Sequence, residues 1–168
     1  MTTLILTVAG SDRPGLVAAV ADIVDAHGGN WESSQLAELA GVFAGVIQVS
    51  VAPDREAELQ YSLRALDGTL AVTVHTGADA STAAEQPITL QVLGNDRPGI
   101  VREVSAVLRA HELSIQDMTT ETRDAAMAGG RLFEASVAAT VPASADLTAL
   151  RADLERLTAE LQVDITLD

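Results

Sequence analysis

The chain has 168 residues, 48% of them apolar, no cysteine, and a formal charge of −14 set by 24 acidic residues against ten arginines and no lysine. Disulfides, thiolate nucleophiles and cysteine-ligated metals are excluded. The acidity is even, −7 on each side of a division between residues 84 and 85, and speaks against DNA, RNA and anionic membrane surfaces, which call for clustered Lys and Arg. The start, MTTLILTVAGSDRPG, has no basic segment, and no run reaches the roughly 20 apolar residues of a membrane span, so a cytoplasmic protein is expected.

Residues 3–10, TLILTVAG, are an apolar run with β-branched members and predict a strand. Asp12-Arg13-Pro14-Gly15 follows, and Leu16, Val17, Val20, Ile23, Val24 and His27 then recur at helical spacing until Gly28-Gly29 stops the helix. A polar extended segment from Asn30 to Leu39, a turn at Ala40-Gly41, and a strand alternating through Phe43, Ile47, Val49 and Val51 come next. A second helix sets Leu59, Leu63 and Leu66 a turn apart, and a strand from Leu70 to His75 closes the series. The Ala-, Ser- and Thr-rich stretch ending at Pro87 reads as a linker. It places a first domain at 1–76, the linker at 77–87 and a second domain at 88–168.

The series then begins again. Residues 8–31 align without gaps on residues 92–115 with ten identities, and GSDRPGLV at 10–17 returns as GNDRPGIV at 94–101. A strand ITLQVLG, a helix, an extended segment from Leu113 to Thr122, and a longer hairpin RDAAMAGG lead to a strand through Phe133, Ala135, Val137 and Val141. Leu150, Leu154 and Leu157 mark the last helix, and Gln162 to Leu167 the last strand. A repeat over about half the chain is a duplication. The expected fold class is α+β: two tandem ferredoxin-like βαββαβ units, each an antiparallel sheet with its helices on one face. The other face, or an edge, stays open, and pairing two units is an economical way to cover it.

Two readings of the repeated turn stand side by side. In the first, Asp12 and Asp96 cap the helices, Pro14 and Pro98 sit in the first turn where a missing N–H costs nothing, and Gly10 and Gly94 permit a sharp corner. That leaves Gly15 and Gly99 unexplained, since glycine in a helix costs up to about 1 kcal/mol against alanine. In the second reading these glycines admit close approach by another backbone or a small ligand. The free N–H groups of the helix start would hold a carboxylate, and the Asp an ammonium group, a pairing that suits an amino acid.

A βαββαβ unit with Asp-Arg-Pro-Gly after its first strand resembles the ACT domain, a regulatory module that binds amino acids. Two such units without a catalytic domain, with HGGNW and HELSI after the first helices, resemble the family of glycine cleavage system transcriptional repressors over essentially the whole chain. The resemblance implies a ligand between the first loop of one unit and the second strand of its neighbour. By position this nominates Asp12, Arg13, Pro14, Gly15, Leu16 and Val17 with Asn30, and in the second copy Asp96, Arg97, Pro98, Gly99, Ile100 and Val101. Ser114 stands where Asn30 does, so the two sites are expected to be unequal, or only one of them to bind. The expected partners are an amino acid or similar small metabolite, a second copy of the chain and a regulatory protein, with glycine the first ligand to try. A ligand-free interaction module is the alternative.

No cofactor is expected. His27, His75 and His111 without cysteine do not suggest a metal site, and the repeated His27 and His111 suit helix C-termini, where a cation favours the dipole. The acidic pairs on the second helices lack a companion nucleophile, so no enzyme is read here. Trp31 is expected in core or interface, and the polar second strands on a solvated face, with a polar, ligand-holding or dimer interface as the alternative.

Overall fold

In the first unit the alternation Leu4, Leu6, Val8 buries one face of β1 (Thr2–Ser11) and sets the layer on which everything else packs. β1 lies between β3 (Val42–Val51) and β4 (Ala71–Thr76), with β2 (Asn30–Leu39) outside β3, an antiparallel sheet of order β2-β3-β1-β4. Two helices, α1 (Leu16–Ala26) and α2 (Glu56–Leu63), bring Leu16, Val20, Val24, Leu59 and Leu63 onto Ile47, Val49 and Val51 of the sheet. α2 passes into a 3-10 turn, Arg64–Leu66. The second unit repeats the plan with β5 (Glu85–Asn95), α3 (Ile100–Ala110), β6 (Ser114–Asp124), β7 (Arg131–Pro142), α4 (Leu147–Leu161) and β8 (Val163–Leu167), in sheet order β6-β7-β5-β8. The chain divides between residues 80 and 81, and each unit has its own apolar cluster.

The computed structural model describes residues 1–77, 85–125 and 129–168. Most of the expected linker, 78–84, and residues 126–128 of the hairpin RDAAMAGG lie outside the described residues. Glu85-Gln86-Pro87, expected as the linker's end, is strand: these residues open β5 and pair with Pro142, Val141 and Thr140. Proline is tolerated there because of its side of the strand. Thr89 exchanges hydrogen bonds with Asp168 on the β8 side, and Pro87, two residues earlier, turns its missing N–H the same way, past the paired residues of β8.

The helix ends follow local chemistry. Gly28 (φ 65°) donates to Asp25 O at 2.8 Å and Gly29 to Val24 O at 2.9 Å, a Schellman motif. In the second unit Glu112 takes the same left-handed position (φ 58°) with the equivalent bonds to Arg109 and Leu108. Asp146 caps α4, its Oδ1 accepting from Thr148 and Ala149 N–H at 3.0 Å each. Asp146→Ala should cost about 1 kcal/mol in chemical denaturation of the second unit; an unchanged midpoint would mean the cap carries no stability.

Register assigns each exposed sheet face. On the first sheet, paired residues form cross-strand rows His75–Ile5–Gln48–Ser33, Thr73–Thr7–Val46–Gln35 and Ala71–Ala9–Ala44–Ala37 opposite the helices. On the second, the row matching the alanines is Asp164–Leu93–Glu134–Glu121.

Candidate functional site

The repeated turn joins the end of β1 to α1. It is not built as a side-chain cap. α1 and α3 begin at Leu16 and Ile100 with Gly15 and Gly99 as the N-cap residues, and neither helix has a side-chain cap hydrogen bond. Asp12 and Asp96 stand three residues earlier and tie down the loop through their backbones, Asp12 N–H to Gly41 O at 2.9 Å and Asp96 N–H to Arg131 O at 2.8 Å. The capping role read for these two aspartates is therefore corrected. Pro14 and Pro98 likewise precede the helices rather than entering their first turns.

Gly15 (φ 92°, ψ 0°) and Gly99 (φ 97°, ψ −7°) have the angles of the third residue of a type II turn, where proline is favoured immediately before. Close approach is not their reason: a Cβ on Gly15 would meet nothing within 4 Å, and one on Gly99 only the Glu103 and Arg102 side chains at ordinary distances. The close approach lies at Gly10 and Gly94, which are strand residues rather than corners. A Cβ on Gly10 would stand 2.8 Å from Thr69 O, and one on Gly94 would collide with Val163.

Within this frame Asp12, Arg13, Pro14 and Gly15 are exposed, Leu16 is buried and Val17 is 45% exposed despite its apolar character. In the second copy Asp96, Arg97 and Pro98 are exposed, Gly99 is half-buried, Ile100 is buried and Val101 exposed. The N–H groups of Leu16, Val17 and Ala18 have no intrahelical acceptor, the geometry of an anion site. Arg13 reaches Thr69 O at 3.5 Å and forms no ion pair among the described residues. Arg97 differs. It pairs with Glu103 at 3.3 Å, and Arg102 approaches the other oxygen of that carboxylate at 3.6 Å. Glu103 lies in the first turn of α3; the residue 84 positions earlier is Ala19. A shallow groove of about 330 Å³ opens beside the second turn, and Thr122 of β6 and Phe133 of β7 join the turn residues in lining it. Glu103, Thr122 and Phe133 were not among the expected site residues; the mismatch of Glu103 with Ala19 in the aligned repeat is the signal that could have found the first.

Asn30 does not join the turn of its own unit. It is level with Thr3 through Ser50, and Asp12 is nine residues further along β1, roughly 30 Å at strand rise. Its Nδ2 donates to Glu32 Oε1 at 2.9 Å, and Ser50 Oγ donates to the same oxygen at 2.6 Å. These bonds, that from Ser50 foremost, hold the exposed Glu32 carboxyl below its ordinary pKa. Glu32 occupies a β-bulge between Trp31 and Ser33, and Trp31 packs against the core. A site that joins the turn to Asn30 therefore needs two units.

The helix-end histidines are ties between helices. His27 Nδ1 lies 2.7 Å from Ile23 O and its Nε2 3.0 Å from Ser62 Oγ on α2. His111 Nε2 lies 2.8 Å from Asp153 Oδ2 on α4.

Models of the ACT domain match residues 2–77 and 82–164. Over 162 residues, 94% of this chain and 85% of that relative, the chain is 28% identical to the glycine cleavage system transcriptional repressor of Escherichia coli (strain K12), and it matches the Shigella flexneri repressor to the same extent. A crystal structure of an unknown protein from Galdieria sulphuraria is similar at TM-score 0.90 and 30% identity, covering 99% of this chain and 97% of that one. A second solved structure, assigned as a glycine cleavage system transcriptional repressor, matches at TM-score 0.67 and 20% identity over 99% of this chain and 96% of that one, which shows the fold.

Proposed function

Since this chain belongs to the ACT domain family and carries two such domains in tandem, we propose that it is a cytoplasmic regulatory protein that senses an amino acid and passes that state to a protein partner. The reading is supported by one observation above others: Asp12 and Arg13 are exposed just before the start of α1, which has no side-chain cap. In this reading the N–H groups at the start of α1 and Arg13 would take a carboxylate, and the Asp12 carboxylate an ammonium group. Glycine is the first ligand to test because of the repressors the chain is similar to. Asn30 would come from a second unit, so ligand would favour one arrangement of paired units or of two copies of the chain. With a charge of −14, an effect on transcription would run through a partner rather than through DNA.

A thermal-shift screen against the free amino acids, with calorimetry on each hit, tests this. One amino acid should raise the melting temperature, and Asp12→Ala should abolish the rise while leaving the circular dichroism spectrum unchanged. No rise with any amino acid at millimolar concentration would favour a ligand-free interaction module.

The two turns are unequal in this reading. Glu103 places a carboxylate where a ligand's would sit and occupies Arg97 and Arg102, so the wild-type chain should bind one equivalent through its first turn. Glu103→Gln should bring the stoichiometry measured by calorimetry to two. Two equivalents in the wild type would remove Glu103 from this role.

A further inference from the structure

The open faces of the two sheets have the same topology and opposite character. At four matched positions in a cross-strand row, the first has Ala71, Ala9, Ala44 and Ala37 and the second Asp164, Leu93, Glu134 and Glu121. Among the described residues one guanidinium pairs with that acidic row, Arg123 with Glu134 at 3.5 Å. The two rows beside the alanines hold no carboxylate and no guanidinium, and Val46 in their midst is 41% exposed. Their polar groups begin to satisfy one another, as Ser33 Oγ does with Gln48 Oε1 at 3.3 Å. In a chain that is 20% charged, an exposed face of this kind is unlike a solvated one.

We infer that the open face of the first sheet is where a second copy of this chain docks, sheet on sheet about a two-fold axis. Three features select that occupant. A two-fold interface sets one surface patch against the same patch of the other copy, so a patch dominated by one sign of charge repels itself there, as the acidic row of the second unit would. Two chains of charge −14 approach most easily where three rows across the sheet carry no carboxylate or guanidinium and the Glu32 carboxylate is confined to the margin, on Asn30 and Ser50, whereas a basic partner would be drawn to the acidic face instead. Alanines allow close approach of the two sheets, and Val46 supplies apolar surface at the centre. Four strands spanned from Thr3 to Ser11 offer about 500 Å² per copy, or about 1,000 Å² in total, near the lower bound for specific interfaces. The dimer is therefore concentration-dependent.

This deepens the proposed pairing of two copies by naming its face. Sedimentation equilibrium on the full chain, without amino acid and from low micromolar to submillimolar concentration, tests it. The wild type should pass from monomer to dimer. Ala37→Glu and Ala71→Asp, which install the second unit's residues at exposed edge-strand positions, should each stay monomeric with an unchanged circular dichroism spectrum. Thr119→Glu, on the second sheet, should dimerise as the wild type does. A dimer that survives both first-sheet variants overturns the face and leaves the pairing of copies standing; a wild type that is monomeric throughout overturns both. Because the chain has no cysteine, Thr73→Cys carries a single spin label. A short interchain distance between labels is expected in the dimer, and a dimer without one also overturns the face.

Discussion

Leu59→Ala should remove about 2–5 kcal/mol from the first unit and leave the unfolding transition of the second in place. Leu59 is fully buried and is one of only two buried residues on α2, a helix of eight residues that ends in a 3-10 turn. A helix so short is held by packing rather than by its own propensity, so the cavity left by Leu59 also loosens the element that bore it. Leu150 is the counterpart on α4, but α4 has fifteen residues, three further buried leucines and the Asp146 cap. Leu150→Ala should therefore cost the second unit less than Leu59→Ala costs the first. Calorimetry of both variants beside the wild type measures the two transitions. The account fails if Leu59→Ala displaces both transitions equally.

Alanine at Gly15 should cost about 1–2 kcal/mol in the absence of any ligand, because a side chain is forced to φ 92°. Alanine at Gly99 should cost a similar amount for the same reason. Asparagine at Gly15 should recover part of the loss, since it tolerates positive φ better than alanine does. Gly10→Ala should also destabilise, by about 1–3 kcal/mol, through a different cause: its Cβ stands 2.8 Å from a backbone oxygen, which is overpacking, and asparagine there would be worse. Denaturation midpoints for the two pairs of substitutions separate strain from crowding. A neutral Gly15→Ala would show that the turn does not depend on positive φ. Because Gly15→Ala acts on folding itself, the ligand test above rests on Asp12 instead.

The Pro-Gly pair that makes this turn was visible in the chain as a turn signal, and its placement inside the first helical turn was the error. Apolar spacing continues smoothly from Leu16, and nothing in that spacing marks where helical φ begins. Gly10 was misread for the opposite reason: its need for space arises from Thr69, some sixty residues away, which no local pattern contains. Asn30 and Asp12 could be nominated together from the resemblance, but only strand register shows that one unit holds them at opposite ends.

The order of the elements, the duplication and the two cores were determined by the sequence alone. Those features depend on hydrophobic period and turn chemistry, which act over a few residues, and on a repeat that alignment of the chain with itself reveals. Which side chains share a face was decided only by tertiary structure. Ala9, Ala37, Ala44 and Ala71 are scattered through the sequence and become one row when three strand registers are set, while the same registers in the second unit assemble acids. A sheet is formed by pairings between distant segments, so the character of its surface belongs to the pairings and not to any one segment.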